Sequence, residues 1–377
     1  MSDTAYFDVL VTNAVDLFEH KITSVQIVLA YFAQIDRHES SHNAVISLAP
    51  RDNVLRVAAS LDLERQQGNV RSQLHGIPIV LREFAGMKMT AMMPGWGGLR
   101  RVRGLLGHSA PAGSSTGSAV AVAAGFTPLA MGTETIGSVI TPATRAGLYA
   151  LKPTVGVQDV SGLYTMTDFY DSPGPMAKCA ANVRFITEIL LDRPLSWGED
   201  GETMWKGMDE AICPPREGAV EQMVDEYEAT VQRLREQGCT IKYPVDIGDV
   251  SALTVDGEQV IMPIAYWDFR NICMPRFIQA FDECPVQSIE GIIRFNRENK
   301  DKAMPYPYTE QPKWERGDCL SLQQISHPIA TVPVGQLRYN SRPFGLCVVA
   351  KQHDEETLLR FMAAYDAGSE PRLVPNL

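Results

Sequence analysis

Three features are scarce in this 377-residue sequence: long apolar runs, closely spaced cysteines and an excess of basic charge. No apolar stretch approaches the roughly 18 residues that a membrane span needs, so we expect no transmembrane segment. The formal net charge of −11 argues against a nucleic acid or an anionic membrane surface as the main partner. These absences favour a soluble protein that acts on a small, neutral or basic molecule.

The seven cysteines and seven histidines give no sign of a metal or redox site, because no C-x-x-C pair and no metal-ligand spacing occurs among them. We therefore expect reduced thiols, a cytoplasmic location and no metal site. The first ten residues contain Asp3 and Asp8 instead of a basic stretch followed by an apolar run, so they do not look like a secretory signal. The sequence gives no indication of the oligomeric state.

Hydrophobic residues make up 45% of the chain and charged residues 21%, which is typical of a globular protein with a substantial core. Apolar spacing predicts a helical hairpin over residues 9–35, with Thr23 or Ser24 as the N-cap of its second helix. Further helices are predicted at 53–67, 117–125, 220–238 and 354–367, and strands at 43–48, 76–81, 128–132, 240–243, 329–335 and 344–350. This alternation predicts an α/β fold with a mixed, largely parallel β-sheet wrapped by helices.

Two turns rich in small and hydroxyl-bearing residues lie in the middle of the chain, at Gly113–Ser118 and Gly132–Ser138. Serine becomes a useful nucleophile only when a base takes its proton and backbone donors stabilise the oxyanion. A third feature is Arg82, a cation that follows the apolar run at 76–81. Each feature alone is weak, because a Gly/Ser turn is usually only a turn.

Together, three segments resemble the amidase signature family, most closely its fungal branch: LHGIPIVLRE at 74–83, PAGSSTGSAVAVAAG at 111–125 and MGTETIGSVITPATRAGLYALKPTVG at 131–156. Stretches at 171–178, 294–299 and 327–367 also look like family segments in the same order. The resemblance implies a single α/β domain over residues 1–377, no cofactor or metal, and hydrolysis of a small-molecule amide or ester.

Members of that family use a Ser-Ser-Lys triad whose middle serine follows a cis peptide bond. Mapped onto this chain, the resemblance implies that Ser138 is the nucleophile and Ser114 the bridging serine. It also implies that the N–H groups of Thr135, Ile136, Gly137 and Ser138 form the oxyanion hole. The lysine of the triad falls on Arg82.

Arg82 cannot act as a neutral base, because a guanidinium keeps its proton in proteins. It would instead bind a substrate carboxylate or pair with Glu83 or Glu134. Two replacement bases are open, Lys88 and His108. Lys152 is expected to have a structural place after the nucleophile turn.

The chain is also shorter than the family pattern, with apparent deletions near residues 93–108 and 318–324. Three interpretations therefore remain open at this stage. The chain forms an acyl-enzyme at Ser138, or it keeps the fold to bind a ligand or partner without turnover, or it is a shortened product with little function.

Overall fold

The computed structural model describes residues 22–42, 44–72, 74–81, 113–195, 203–206, 218–241, 254–255, 258–259, 261–304, 327–338 and 343–369. The predicted first helix of the hairpin and both apparent deletions lie outside these residues. In chain order the helices are α1 Ser24–His42, α2 Arg51–Gln66, α3 Thr116–Ala123, α4 Ile140–Arg145, α5 Ala180–Leu190, α6 Ala219–Glu236, α7 Ile261–Asp268, a π-helical turn Phe269–Cys273, α8 Met274–Gln279, α9 Ile289–Glu298, α10 Lys300–Ala303 and α11 Glu355–Gly368.

The strands build one large sheet and a separate small hairpin. In chain order they are β1 Val80–Leu81, β2 Leu129–Glu134, β3 Tyr149–Lys152, β4 Ser172–Ala177, β5 Thr203–Lys206, β6 Thr254–Val255, β7 Glu258–Gln259, β8 Ile329–Gln336 and β9 Pro343–Ala350. The seven-stranded sheet has the order β1-β2-β4-β3-β8-β9-β5, and the hairpin pairs β6 with β7.

The expected α/β architecture with a mixed sheet is confirmed, but the expectation that the sheet is largely parallel is wrong. Among the described strands of the large sheet, only β1 and β2 pair in parallel, and the other neighbours run antiparallel. The reason lies in the connections. The helix-free stretch at 153–171 returns the chain so that β4 inserts between β2 and β3, and β8 and β9 form a direct hairpin.

Alternate residues of the central strands pack on opposite faces of the sheet, as the two-residue repeat of a strand requires. Ala130, Ala150 and Met176 pack on one face with α1, α3 and α4. The neighbouring strand residues pack on the other face with α5 and α11. The central strands are therefore buried on both faces, and they provide a rigid base for the turns that follow them.

Local signals placed most helices well, but three predicted strands were wrong in whole or in part. Thr23 caps α1, since its Oγ1 accepts from Gln26 N at 3.1 Å, and Asp354 caps α11 through Thr357 N at 3.3 Å. Residues 44–48 form no strand, although 43–48 was predicted as one. The N–H groups of Ala44 and Val45 donate to the Glu39 carboxylate instead, so two donors that a sheet would use are already occupied.

Two further strand predictions were less successful than the neighbouring helices. The strand predicted over 76–81 shortens to β1, and Thr240 and Ile241 are not extended into a strand. Within the described chain, no helix combines the length and apolar character that crossing a bilayer requires.

Candidate active site

The two serine-bearing turns lie side by side. The first turn leads into α3, and the second connects the end of β2 to α4. They are joined directly, because Ser115 N donates to the carbonyl oxygen of Ser138 at 3.1 Å. Residues that are 24 positions apart in the sequence, Ser114 and Ser138, are thereby brought to the wall of the same cavity.

The first turn contains a cis peptide bond between Gly113 and Ser114, at the serine where the family resemblance implies one. Ser114 is buried, and its neighbour Ser115 is held against β2. The Ser115 hydroxyl donates to Thr133 O and accepts from Thr133 N, both at 3.3 Å. A Cβ on Gly132 would lie 2.6 Å from Ser115 Oγ, so this close approach requires glycine at position 132.

Glu134, the last residue of β2, holds the second turn by accepting hydrogen bonds from backbone amides. One carboxylate oxygen of this buried side chain accepts from Val139 N at 2.7 Å and from Ile140 N at 2.8 Å. Gly137 has a φ of +79°, which a residue without a Cβ adopts easily. The Glu134 contacts occupy the first amides of α4 and fix the direction of the residues that precede them.

The cavity beside the two turns has a volume of about 590 Å³. Its polar end contains Ser114, Thr135, Ile136 and Ser138, whereas Gly137 lies in the same turn without reaching the wall. Most of the remaining wall is apolar, with contributions from α1, residues 44–49 and β1. Among the described lining residues there is no lysine, arginine or histidine, and Asp171 is the one carboxylate.

A third wall comes from the stretch between β3 and β4 and from the helical segment around the π-helical turn. Tyr164 and Met166 face the cavity from the first, and Tyr266 and Phe269 from the second. Asp168 links the stretch between β3 and β4 to the helical segment, because Arg276 donates to both of its carboxylate oxygens at 2.6 and 2.8 Å. Hydrogen bonding from Arg276 lowers the pKa of Asp168, so this link persists over the ordinary pH range.

Lys152 is buried next to the site without lining the cavity. Its Nζ donates to the carbonyl oxygens of Pro153 and His327 at 3.3 and 3.4 Å. Burial lowers the pKa of Lys152, and the carboxylates of Glu134, Asp171 and Glu355 oppose that shift. These contacts agree with a structural place for this lysine.

Arg82, Lys88 and His108 lie outside the described residues, so the structure does not test them as partners of the serines. The strand that leads to Arg82 is described: β1 pairs with β2, with Leu81 opposite Met131, and Leu81 lines the cavity. No group of three or more His, Cys, Asp or Glu side chains in the described ranges could hold a metal ion.

Sequence reasoning missed Asp171, the carboxylate that contacts Thr135. It lies 36 residues from Thr135, and although it begins the family-like stretch at 171–178, nothing in that stretch indicates a contact with Thr135. Its position follows from the pairing of β2 with β4, which brings the end of one strand next to the beginning of the other.

Comparison with known proteins agrees with this geometry. A family model described as Amidase matches residues 107–206, which contain both serine turns. The Schizosaccharomyces pombe protein named "Putative amidase C869.01" is 22% identical over 487 aligned positions, covering 92% of this chain and 82% of that protein. A second fungal relative, the Arthroderma benhamiae protein named "Putative amidase", is 26% identical over 218 aligned positions, and the match covers 45% of this chain and 36% of that protein.

Solved structures show the same fold. The native peptide amidase of Stenotrophomonas maltophilia superposes with a TM-score of 0.77 at 20% identity, covering 97% of this chain and 98% of that one. An amidase family protein from Bacillus anthracis has a TM-score of 0.74 at 19% identity, covering 96% and 91% of the two chains.

Proposed function

We propose that this chain, which belongs to the amidase signature family, cleaves a small-molecule amide or ester through an acyl-enzyme on Ser138. Members of that family hydrolyse C–N bonds of amides. The observation that carries this proposal is the placement of Ser114 and Ser138 on one cavity, in two turns joined by the hydrogen bond from Ser115 N to Ser138 O. A nucleophile and a relay hydroxyl both need access to the same substrate carbonyl.

In the proposed reaction, Ser138 Oγ attacks the substrate carbonyl and passes its proton to Ser114 Oγ, whose own proton moves on to a base. The N–H groups of Thr135, Ile136, Gly137 and Ser138 stabilise the oxyanion. Collapse of the tetrahedral intermediate expels the amine or alcohol with a proton returned through Ser114. Water then repeats the sequence on the acyl-enzyme and releases the acid.

The base is the part of this mechanism that departs from the family. A lysine at the end of the first strand would accept the proton when neutral, whereas the guanidinium of Arg82 stays charged. Lys88 and His108 remain the candidate acceptors, and Arg82 then contributes a fixed positive charge. This departure predicts slow turnover of amides and easier turnover of esters, because an alkoxide leaving group needs less proton transfer than an amine.

The walls of the cavity favour an uncharged substrate that carries an apolar group. Val28, Phe32 and Ile35 of α1 contribute to one side, together with Ile46 and Leu48. Burying apolar area contributes about 25 cal/mol per Å², and the wall facing this side has no described basic group to hold an anion. We therefore expect a neutral amide or ester with a branched or aromatic substituent.

Covalent labelling tests the proposal directly. A fluorophosphonate probe should modify the wild-type protein at one position, and Ser138→Ala should remove that modification. Ser161→Ala, at an exposed residue, serves as the matched control and should label like the wild type. Labelling that survives in Ser138→Ala would reject Ser138 as the nucleophile.

A second function is favoured by one observation, the arginine at position 82. If no base completes the relay, the cavity binds a small neutral ligand without turnover. That function predicts no labelling at any pH, together with unchanged ligand affinity in Ser138→Ala. The same pair of proteins therefore separates the two functions.

A further inference from the structure

The pairing of β2 with β4 places Thr135 and Asp171 opposite each other. The last pair of the two strands is Glu134 with Ser172, so the next residues outward are Thr135 and Asp171. Thr135 Oγ1 donates to Asp171 Oδ1 at 2.5 Å. A hydroxyl bound to a carboxylate makes one of the stronger hydrogen bonds found in proteins. We call Thr135–Ser138, whose N–H groups are proposed to stabilise the oxyanion, the oxyanion turn. Its first residue, Thr135, is therefore held by its side chain.

The second oxygen of the same carboxylate holds the opposite wall. Asp171 Oδ2 accepts from Met166 N at 2.5 Å, and Met166 lines the cavity. Asp171 is only 7% exposed, so both contacts are largely shielded from water. One buried side chain thus joins the oxyanion turn to the wall that faces a bound substrate.

That wall is itself anchored at a second point. Asp168 binds Arg276, and Asp168 N donates to Asp268 Oδ2 at 2.9 Å. The stretch containing Met166 is therefore fixed to the helical segment that supplies Tyr266 and Phe269 to the cavity. Because this wall is also held by the Asp168 contacts, the contact of Asp171 with Met166 fixes the position of Thr135 relative to the wall.

A carboxylate close to a developing oxyanion would repel it unless other charges compensate. Asp171 accepts hydrogen bonds from Thr135 and Met166 and interacts electrostatically with the positive charge of Lys152, and these described contacts offset its negative charge. Its oxygens are directed to Thr135 and Met166, so the geometry favours a role in holding protein groups over binding a substrate cation.

We propose that Asp171 is a positioning residue for the reaction: it fixes Thr135, and with it the amides of the oxyanion turn, relative to the substrate wall. The role rests on the proposed function, because oxyanion donors contribute only if they are oriented before the charge forms. Asp171 acts through Thr135 and does not contact the reacting atoms in this role.

A matched set of variants tests the coupling: Thr135→Val, Thr135→Ser, Asp171→Asn and the double variant Thr135→Val/Asp171→Asn. Valine keeps the shape of threonine without the hydroxyl, whereas serine keeps the hydroxyl. The maximal rate of fluorophosphonate labelling and the probe concentration at half-maximal rate are measured for each protein. Hydrogen exchange of the peptides that cover residues 132–140 is measured in parallel, and this second measurement does not depend on activity.

We expect Thr135→Val and Asp171→Asn each to lower the maximal labelling rate roughly 10- to 100-fold, because small displacements of reacting groups have effects of that size. The half-saturating concentration should change less than about twofold, since ground-state binding is not the target. The double variant should be about as slow as either single variant, because both remove one interaction. Thr135→Ser, which keeps the hydroxyl, should recover most of the rate that Thr135→Val loses, and exchange should accelerate only in the variants that lose the contact.

Multiplying effects in the double variant would overturn the positioning role, as would unchanged exchange in Thr135→Val and Asp171→Asn. A rise in half-saturating concentration confined to cationic probes would also overturn it, in favour of a substrate-binding role. Wild-type protein that does not label would contradict the proposed function alone, and the exchange comparison would still support or reject the contact. If Asp171→Asn fails to fold, Thr135→Val and Thr135→Ser decide the result.

Discussion

Different kinds of interaction hold the two sides of the cavity in place. On the serine side, buried polar groups are held one by one: Glu134 accepts from the amides of Val139 and Ile140 at the start of α4, and Ser115 binds Thr133 through both its hydroxyl proton and its oxygen. On the apolar side, the walls from α1 and residues 44–49 are held by packing, and Ile46 and Leu48 remain 43% and 42% exposed. Directional contacts tolerate little change, whereas an apolar wall tolerates substitution and determines which substrate fits.

Among the substitutions that test the difference between the two sides, the largest loss of activity is expected at Ser114. Ser114→Ala removes the proposed proton relay and should slow ester hydrolysis roughly 10³-fold, within the range for general acid–base groups. KM should change little, since the relay acts in the transition state. Initial rates over a range of substrate concentrations give both values. A variant as active as the wild type would remove Ser114 from the mechanism.

Restoring the family base should produce the next largest change. Arg82→Lys supplies a side chain that can lose its proton when buried, and amide hydrolysis should rise by roughly 10²-fold. Arg82→Met, which is neutral and of similar length, is the control and should give no gain. Steady-state rates with one amide and its matching ester measure the effect. An unchanged amide rate in Arg82→Lys would show that the base is not what limits turnover.

Substitutions on the serine side should also lower the free energy of unfolding. Glu134→Ala leaves two buried amides without their acceptor and should lower the free energy of unfolding by about 2–4 kcal/mol. Glu134→Gln keeps an acceptor oxygen and should cost about half as much. Urea unfolding followed by circular dichroism measures both. Equal losses in the two variants would indicate that the charge, rather than the acceptor, stabilises the turn.

The smallest stability effect is expected on the apolar side. Ile46→Asp changes a partly exposed residue, so the free energy of unfolding should move by less than about 0.5 kcal/mol. Binding of a neutral aromatic amide to the Ser138→Ala background should weaken roughly tenfold, because a charge enters an apolar wall. Ile46→Ala, which only removes area, should weaken binding less. Calorimetric titration distinguishes the two, and a loss of folding in Ile46→Asp would contradict the comparison.

Local sequence predicted the residues on the serine side of the cavity better than the arrangement around them. The Gly/Ser turns and the resemblance they carry identified Ser114 and Ser138, which the structure brings to one cavity. Short-range capping rules also placed Thr23 and Asp354 correctly. These features depend on residues that are near in sequence, where spacing and side-chain chemistry are sufficient.

Features that depend on the order of the strands in the sheet could not be predicted from the sequence. The contact of Thr135 with Asp171 exists because β4 inserts between β2 and β3, and no local pattern encodes that insertion. The same insertion gives β2 and β3 antiparallel neighbours where an alternating pattern predicted parallel ones. The stretch at 44–48 failed for another reason, since the Glu39 side chain, five to six residues earlier, takes the amide donors of Ala44 and Val45.

Trapping the acyl group is the most direct test of the proposed reaction. Wild-type protein is mixed with a slow ester and quenched in acid, and fragment-ion mass spectrometry locates the added acyl mass. Fragmentation is essential, because trypsin releases residues 104–145 as one peptide that holds Ser109, Ser114, Ser115, Ser118 and Ser138. We predict the acyl mass on Ser138 alone. An acyl group on another serine, or turnover without any trapped acyl group, would contradict the assignment.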